Sequence, residues 1–335
     1  MKDSSPAPPP APPPAASRWR VREALTADEP ALLALFQRAF GSAMPPALWR
    51  WKYARPQSRA TLVENETGVV AYYGGVARSV LFMGAPATAV QIGDVMVDPA
   101  WRGVLTRQGP FYRAATGFIE RWMGEAERRY DFAFGFPSDR ACRLGVALRL
   151  YEAMDRIQEV EWASAGSGAA APRGRLLTAR DAPLVDRLWQ AMARDLGECA
   201  VGVRDGAYVC ERYIEHPVHR YTVFLVTRRF LPPLGVVVLR DHGEQGEQGA
   251  ELMDLIGKTR HLPALAQAAC QLARQLGRRR LFAWATPAVV RHLAVAAAQV
   301  RDTEVVVPTI VWQQPERVRA LKDRWWLMGG DTDFR

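Results

Sequence analysis

The chain has 335 residues, of which 49% are hydrophobic and 24% charged, and a formal net charge of +9. Its length suits two domains, and no apolar run approaches the roughly 20 residues that cross a bilayer or forms a signal-peptide core, so a cytoplasmic protein without a membrane span is expected. The arginines are spread along the chain and no nucleic-acid motif appears, so the positive charge points to an anionic small molecule and no nucleic-acid partner is expected.

Residues 1–17 form a Pro/Ala-rich tail with nothing large enough to fill a core, and are read as a disordered segment outside the fold. Trp19 to Leu25 reads as a first strand. Thr26 stands at an N-cap position, with Asp28 and Glu29 in the first turn of an amphipathic helix through Leu32, Leu35 and Phe40 that stops at Gly41. A second short helix after Pro45-Pro46 carries Trp49, Trp51 and Tyr53 and ends at Pro56. Strands follow at Ala60 to Glu64, Val69 to Phe82 and Thr88 to Val97, separated by Asn/Gly and Gly/Pro turns. Then come a helix from Pro110 to Arg121, a strand from Tyr130 to Phe136, a helix from Asp139 to Ala153 and a strand from Ile157 to Trp162.

Residues 163–174 are rich in Gly, Ala and Ser and read as a linker. Beyond it the order repeats. A strand at Leu176-Leu177 leads to a helix through Leu188 and another around Tyr208 and Tyr213. Strands follow at Tyr221 to Thr227, Gly235 to Leu239 and Glu251 to Ile256. The half closes with a helix Pro263 to Leu276, a strand Arg280 to Trp284, a helix Pro287 to Ala298 and a strand Glu304 to Trp312. The expectation is a domain over 18–162 and a second, degenerate one over 175–335, each a mixed α/β sheet flanked by helices.

The stretch Ile92-Gly93-Asp94-Val95-Met96-Val97-Asp98-Pro99-Ala100-Trp101-Arg102-Gly103 runs on to Gly109-Pro110-Phe111. A strand enters a Pro, then an Arg-Gly loop, then a helix N-terminus, where unpaired N–H groups and the dipole favour an anion. Val97-Asp98-Pro99, Arg102 and Gly103 resemble the first part of the acetyl-CoA motif of the GNAT N-acetyltransferase superfamily, and the whole chain resembles its bacterial tandem type. The second part of that motif is replaced here by the longer Val104-Leu105-Thr106-Arg107-Gln108-Gly109-Pro110. The resemblance implies an acyl-CoA co-substrate, acetyl-CoA first, whose phosphates meet Arg102, Gly103, Arg107, Gln108 and Gly109. It implies that a backbone N–H at Met96 or Val97 polarises the acyl carbonyl. Ser138-Asp139-Arg140-Ala141-Cys142-Arg143-Leu144-Gly145 is similar to the family's following helix, with Ala141 and Leu144 matching. Gly145 stands where the family places its general-acid Tyr, and Tyr151 falls nearer a packing position.

An attacking amine must lose a proton. Asp94, on the strand that the resemblance places along the thioester, is the candidate base. Trp49, Trp51, Tyr72 and Tyr73 are candidates for the acceptor side, with at most one of the two tyrosines facing the cleft because strand side chains alternate. The second half lacks an Arg-Gly loop. Gly257-Lys258-Thr259 lacks the upstream glycine of a P-loop, His216 and His219 have no third ligand in view, and the four cysteines show no zinc spacing, so no metal is expected. The tail Trp325-Trp326-Leu327-Met328-Gly329-Gly330-Asp331-Thr332-Asp333 reads either as a docked strand or as acids for a cationic amine. The reading is acyl transfer from CoA to a small-molecule or amino-sugar amine. An aminoacyl-tRNA-dependent transferase acting on peptidoglycan precursors and a non-catalytic ligand-binding module are the alternatives.

Overall fold

The computed structural model describes residues 19–124, 127–162, 173–228, 230–242, 249–293, 299–310 and 315–332. The Pro/Ala tail and nearly all of the 163–174 linker lie outside them. The first half starts with β1 (Arg20–Glu23), α1 (Glu29–Phe40) and α2 (Pro46–Tyr53). A meander follows, β2 (Arg59–Asn65), β3 (Gly68–Phe82) and β4 (Ala85–Val97), then α3 (Pro110–Trp122), β5 (Phe132–Gly135), α4 (Asp139–Ala147) and β6 (Tyr151–Trp162). α1 ends where Gly41 turns left-handed at φ 77°. Thr26 does not cap it. The Asp28 carboxylate instead accepts the Leu25 N–H at 2.8 Å and grips the Arg22 guanidinium at 2.7 and 2.8 Å.

The second half repeats the order with β7 (Arg173–Leu176), α5 (Ala182–Asp195), β8 (Ala200–Gly202), α6 (Gly206–Val209), β9 (Thr222–Arg228), β10 (Leu231–His242) and β11 (Gly249–Ile256). It continues through α7 (Leu262–Gln275), β12 (Arg280–Ala285), α8 (Pro287–Leu293), β13 (Gln299–Ile310), α9 (Pro315–Arg319) and β14 (Trp325–Trp326). All the described strands join one mixed sheet with the order β1-β2-β3-β4-β5-β13-β6-β12-β11-β10-β9-β7, while β8 pairs with β3 and β14 with β8. Read inward from either end, five strands of one half are followed by the last long strand of the other. β13 pairs with β5, and β6 pairs with β12. The two halves therefore exchange strands, and a cut at the linker separates each half from a strand that completes its sheet. A hydrophobic cluster of Val80, Ala89, Phe132 and Phe134 with Val307, Leu321, Trp325 and Leu327 also spans the two halves.

Several elements differ from expectation. The helix expected to reach Ala153 stops at Ala147, because Arg149 adopts a left-handed φ of 62° and β6 begins at Tyr151. β10 begins four residues before the expected Gly235 despite Pro232 and Pro233. The β9 ladder slips between Leu231 and Gly235, so neither proline has to donate there. The three-residue β8 was not expected from sequence, because partners distant in the chain make it a strand, whereas β14 realises the docked strand that the tail was expected to form.

Candidate active site

β4 and β5 run parallel from Ala89/Phe132 to Ile92/Gly135 and then part. The opening is a cleft of about 480 Å³, walled by β4, the start of α3, the β5–α4 turn, Tyr151 and the end of β13. A bulge in β4 faces it. Tyr72 pairs with Met96 and Gly74 with Gly93, so Tyr73 alone stands against Asp94 and Val95. Asp94 takes the left-handed conformation, φ 47°, which Asp tolerates better than most residues. The bulge breaks strict alternation, so the face occupied by Asp94 is not legible from strand phase.

Asp94 is among the residues that line the cleft, and its Oδ2 accepts both Lys52 Nζ and Tyr53 Oη at 2.5 Å. Lys52 is only 3% exposed and Asp94 16%. A buried ammonium needs such a partner, and α2 supplies Lys52 and Tyr53 from adjacent positions. The sequence places both on the acceptor-side helix without pairing either with Asp94. A lysine between aromatics on a short helix was the available signal.

Of the two tyrosines, Tyr73 reaches the cleft. Tyr72 lies in the core beneath α1 and α2, with Trp49 and Tyr53 at 5.4 and 5.8 Å between ring centroids. Trp49 is buried there and does not face the cleft. Trp51 lies at the junction of the halves. Its indole donates to the Glu211 carbonyl at 3.3 Å and its ring packs on His216 at 4.4 Å. Tyr73 Oη and Tyr151 Oη are 2.8 Å apart. A β-carbon on residue 145 would overlap the Tyr151 ring, so that ring fills the space a side chain on α4 would take there. Gly145 and Tyr151 are thus one arrangement, and the expectation of a simple packing aromatic changes accordingly. Burial raises the Tyr151 phenol above its ordinary value against the opposing effect of the Tyr73 hydrogen bond, and burial raises Tyr73 well above it.

In the 98–109 connection, Asp98 caps a short turn at the Ala100 N–H and pairs with Arg38 at 2.7 Å. The Arg102 guanidinium donates to the carbonyls of Val97 and Ala39, tying the loop to the end of α1. This clamps the loop to main chain. Met96 packs its side chain beneath α1 and α2. Gly103 and Gln108 are exposed, and the exposed Arg107 lies over the Tyr112 ring at 6.0 Å. Gly109 is the N-cap of the 13-residue α3, whose first turn has no side-chain cap. Phe111, in that turn, lines the cleft.

The corresponding opening between β11 and β12 is occupied by the chain itself. These strands pair over Gly249–Glu251 and Arg280–Phe282, and the tail packs where they part, with Met328 bridging to Ala285. A β-carbon on Gly330 would overlap the Tyr213 hydroxyl, so the residue must be Gly. Asp331 and Asp254 hold Arg204 at 2.5 and 3.0 Å, all three buried, and these carboxylates outweigh the burial that opposes the guanidinium's charge, raising it above its ordinary value. Asp331 is thus an internal partner. Asp333 lies outside the described residues. Thr259, just before α7, spends its N–H and hydroxyl on Asp195 at 2.9 and 3.1 Å. Among the described residues no group of three or more His, Cys, Asp or Glu is placed to hold a metal, and no helix is long and apolar enough to cross a membrane.

Residues 20–142 match the family model of the acetyltransferase (GNAT) domain. No curated protein matches the sequence. Among solved structures, a conserved protein from Enterococcus faecalis V583 described as a probable N-acyltransferase aligns over 90% of this chain and 74% of its own, at 11% identity and a TM-score of 0.67. A GCN5-related N-acetyltransferase from Anabaena variabilis aligns over 87% of this chain and 72% of its own at 13% identity, with a TM-score of 0.66. Saccharomyces cerevisiae N-myristoyltransferase with bound myristoyl-CoA aligns over 90% and 84% at 10% identity, with a TM-score of 0.53. At these identities the likeness is one of fold, and it extends over both halves.

Proposed function

We propose that this protein transfers an acyl group, acetyl first, from acyl-CoA to an amine, using the first-half cleft. The carrying observation is the parting of β4 and β5 at the Asp94 bulge, with the uncapped first turn of α3 at its edge, all inside the span that matches the acetyltransferase domain. The Phe111 and Tyr112 N–H groups would meet the CoA phosphates, and Arg107 stands nearby on the same turn. From Gly93 onward β4 no longer pairs with β5, which leaves its main chain as the edge along which the thioester would lie.

The amine nitrogen attacks the thioester carbon, the C–S bond breaks, and the nitrogen loses a proton while the sulfur gains one. Asp94 accepts the first, directly or through water, with Lys52 and Tyr53 fixing its carboxylate. Tyr151, protonated at neutral pH and adjoining Tyr73, donates the second. Tyr151, whose ring occupies the space beside Gly145, supports the catalytic reading over the non-catalytic module. The tail in the second opening supports a single CoA site per chain. The test is thiol release from acetyl-CoA by the full chain across a panel of amines. Amine-dependent release is expected, and binding of acetyl-CoA without release to any amine would return the non-catalytic reading.

A further inference from the structure

A second pocket, of about 430 Å³, lies between the halves and has no role in the chemistry above. Its wall includes Arg55 just past α2, Arg78 on β3, Phe134 on β5, Tyr208 and Glu211 from the second half, and Asp331 of the tail. It adjoins the cleft, because Phe134 lines both and because α2 holds Asp94 through Lys52 and Tyr53 immediately before Arg55 enters the pocket.

The charges in its wall are unevenly matched. Glu211 is paired with Arg55 at 2.7 Å, Asp331 with Arg204, and Asp205 caps α6 through the Tyr208 N–H at 2.8 Å. Arg78 meets no carboxylate among the described residues. Its Nε and Nη2 donate to the neutral Gln91 Oε1 at 2.9 and 2.7 Å. Burial and the nearby Arg78 charge both lower Arg55 below its ordinary value, so the two guanidiniums work against each other across the wall. Behind them the Gln91 amide nitrogen and the Trp325 indole nitrogen are buried without hydrogen-bond partners, two donors that meet no acceptor. A guanidinium held beside a cavity by a neutral amide, with a second guanidinium nearby, is the arrangement an incoming anion relieves.

We infer that this pocket receives the far end of the acceptor, and that the acceptor is an amine carrying a carboxylate or phosphate several bonds from its nitrogen. The inference rests on the acyl-transfer reading for the amine end only. Arg78 pairs with Ala89, and the bulge lies opposite Tyr73, five residues back along β3. At about 3.3 Å per residue the two are roughly 16 Å apart along the strand, a gap that an arginine side chain and a dipeptide-sized molecule fill together but glycine does not.

The test compares matched amines on the full chain with acetyl-CoA: a dipeptide with a free or amidated C-terminus, and glucosamine with or without a 6-phosphate. The anionic member of one pair should show a kcat/KM about ten- to a hundredfold higher, which also names the anion. Arg78→Gln should bring that ratio towards one, while Arg78→Lys should keep part of it. Calorimetry with the anionic amine provides a readout independent of turnover, with at least tenfold weaker binding expected for Arg78→Gln. Equal rates for both members of both pairs, or a preference that survives Arg78→Gln, would overturn the inference. Arg78-dependent binding without any thiol release would leave the pocket standing and refute acyl transfer instead.

Discussion

Asp94→Asn separates the two roles that the Lys52–Asp94 pair allows. Lys52 is 3% exposed and its carboxylate partner 16%, so the pair is largely out of water. Removing one member of such a pair costs about 3–5 kcal/mol, and the asparagine oxygen, which still accepts a hydrogen bond, places the expectation near 3 kcal/mol. With a urea slope of about 3 kcal/mol/M, the unfolding midpoint should fall by about 1 M. Turnover should fall by about 10²–10⁴-fold if Asp94 also takes the amine proton. The double variant Lys52→Met/Asp94→Asn removes both charges of the pair and should recover most of the stability, but not the turnover. Recovery of both would make Asp94 a structural partner only and refute its role as base. A single variant that unfolds at the wild-type midpoint would refute the ion-pair argument itself.

Tyr151→Phe keeps the ring over Gly145 and removes the hydroxyl. It should lower kcat by about 10²-fold or more with acetyl-CoA affinity little changed, and the loss should shrink for acyl donors with more acidic leaving thiols; an equal loss for all donors would refute its role as proton donor. Arg102→Ala releases the loop from Ala39 and Val97, so it should lower the melting temperature, and a CoA affinity reduced tenfold at an unchanged melting temperature would restore the phosphate role. Burial first, and then the Arg212 charge, depress His216 to about 3, and burial with Arg240 depresses His219 to about 4, so both are neutral in the folded protein. An unfolded histidine protonates near pH 6.5, so the folded state loses stability as pH falls from about 6.5 towards about 4. His216→Asn, measured by melting at pH 7 and pH 5, should show a smaller drop than wild type, and an equal drop would refute the assignment.

The element order was legible in the chain because it depends on local signals. Gly41 ends a helix, Pro110 opens one, and the β-branched and aromatic run from Val69 to Phe82 between two turns favours a strand. The strand–loop–helix from Ile92 to Phe111 was legible for the same reason, since a helix N-terminus after an Arg-Gly turn is written in consecutive residues. What the tertiary structure decided is every relation between distant residues. Asp94 was visible as an acid on a strand, but its face depends on a one-residue bulge that appears only against β3. Arg102 is visible in sequence as a charge beside the loop, whereas the carbonyls of Ala39 and Val97 that it also holds are not. Tyr151 meets Gly145 because Arg149 turns the chain back, and Arg78 stands beside a cavity because β8 and the C-terminal tail close over it. A periodic pattern reports which face of an element is apolar. It carries no information on which other element covers that face, and in this protein the covering element repeatedly comes from the other half.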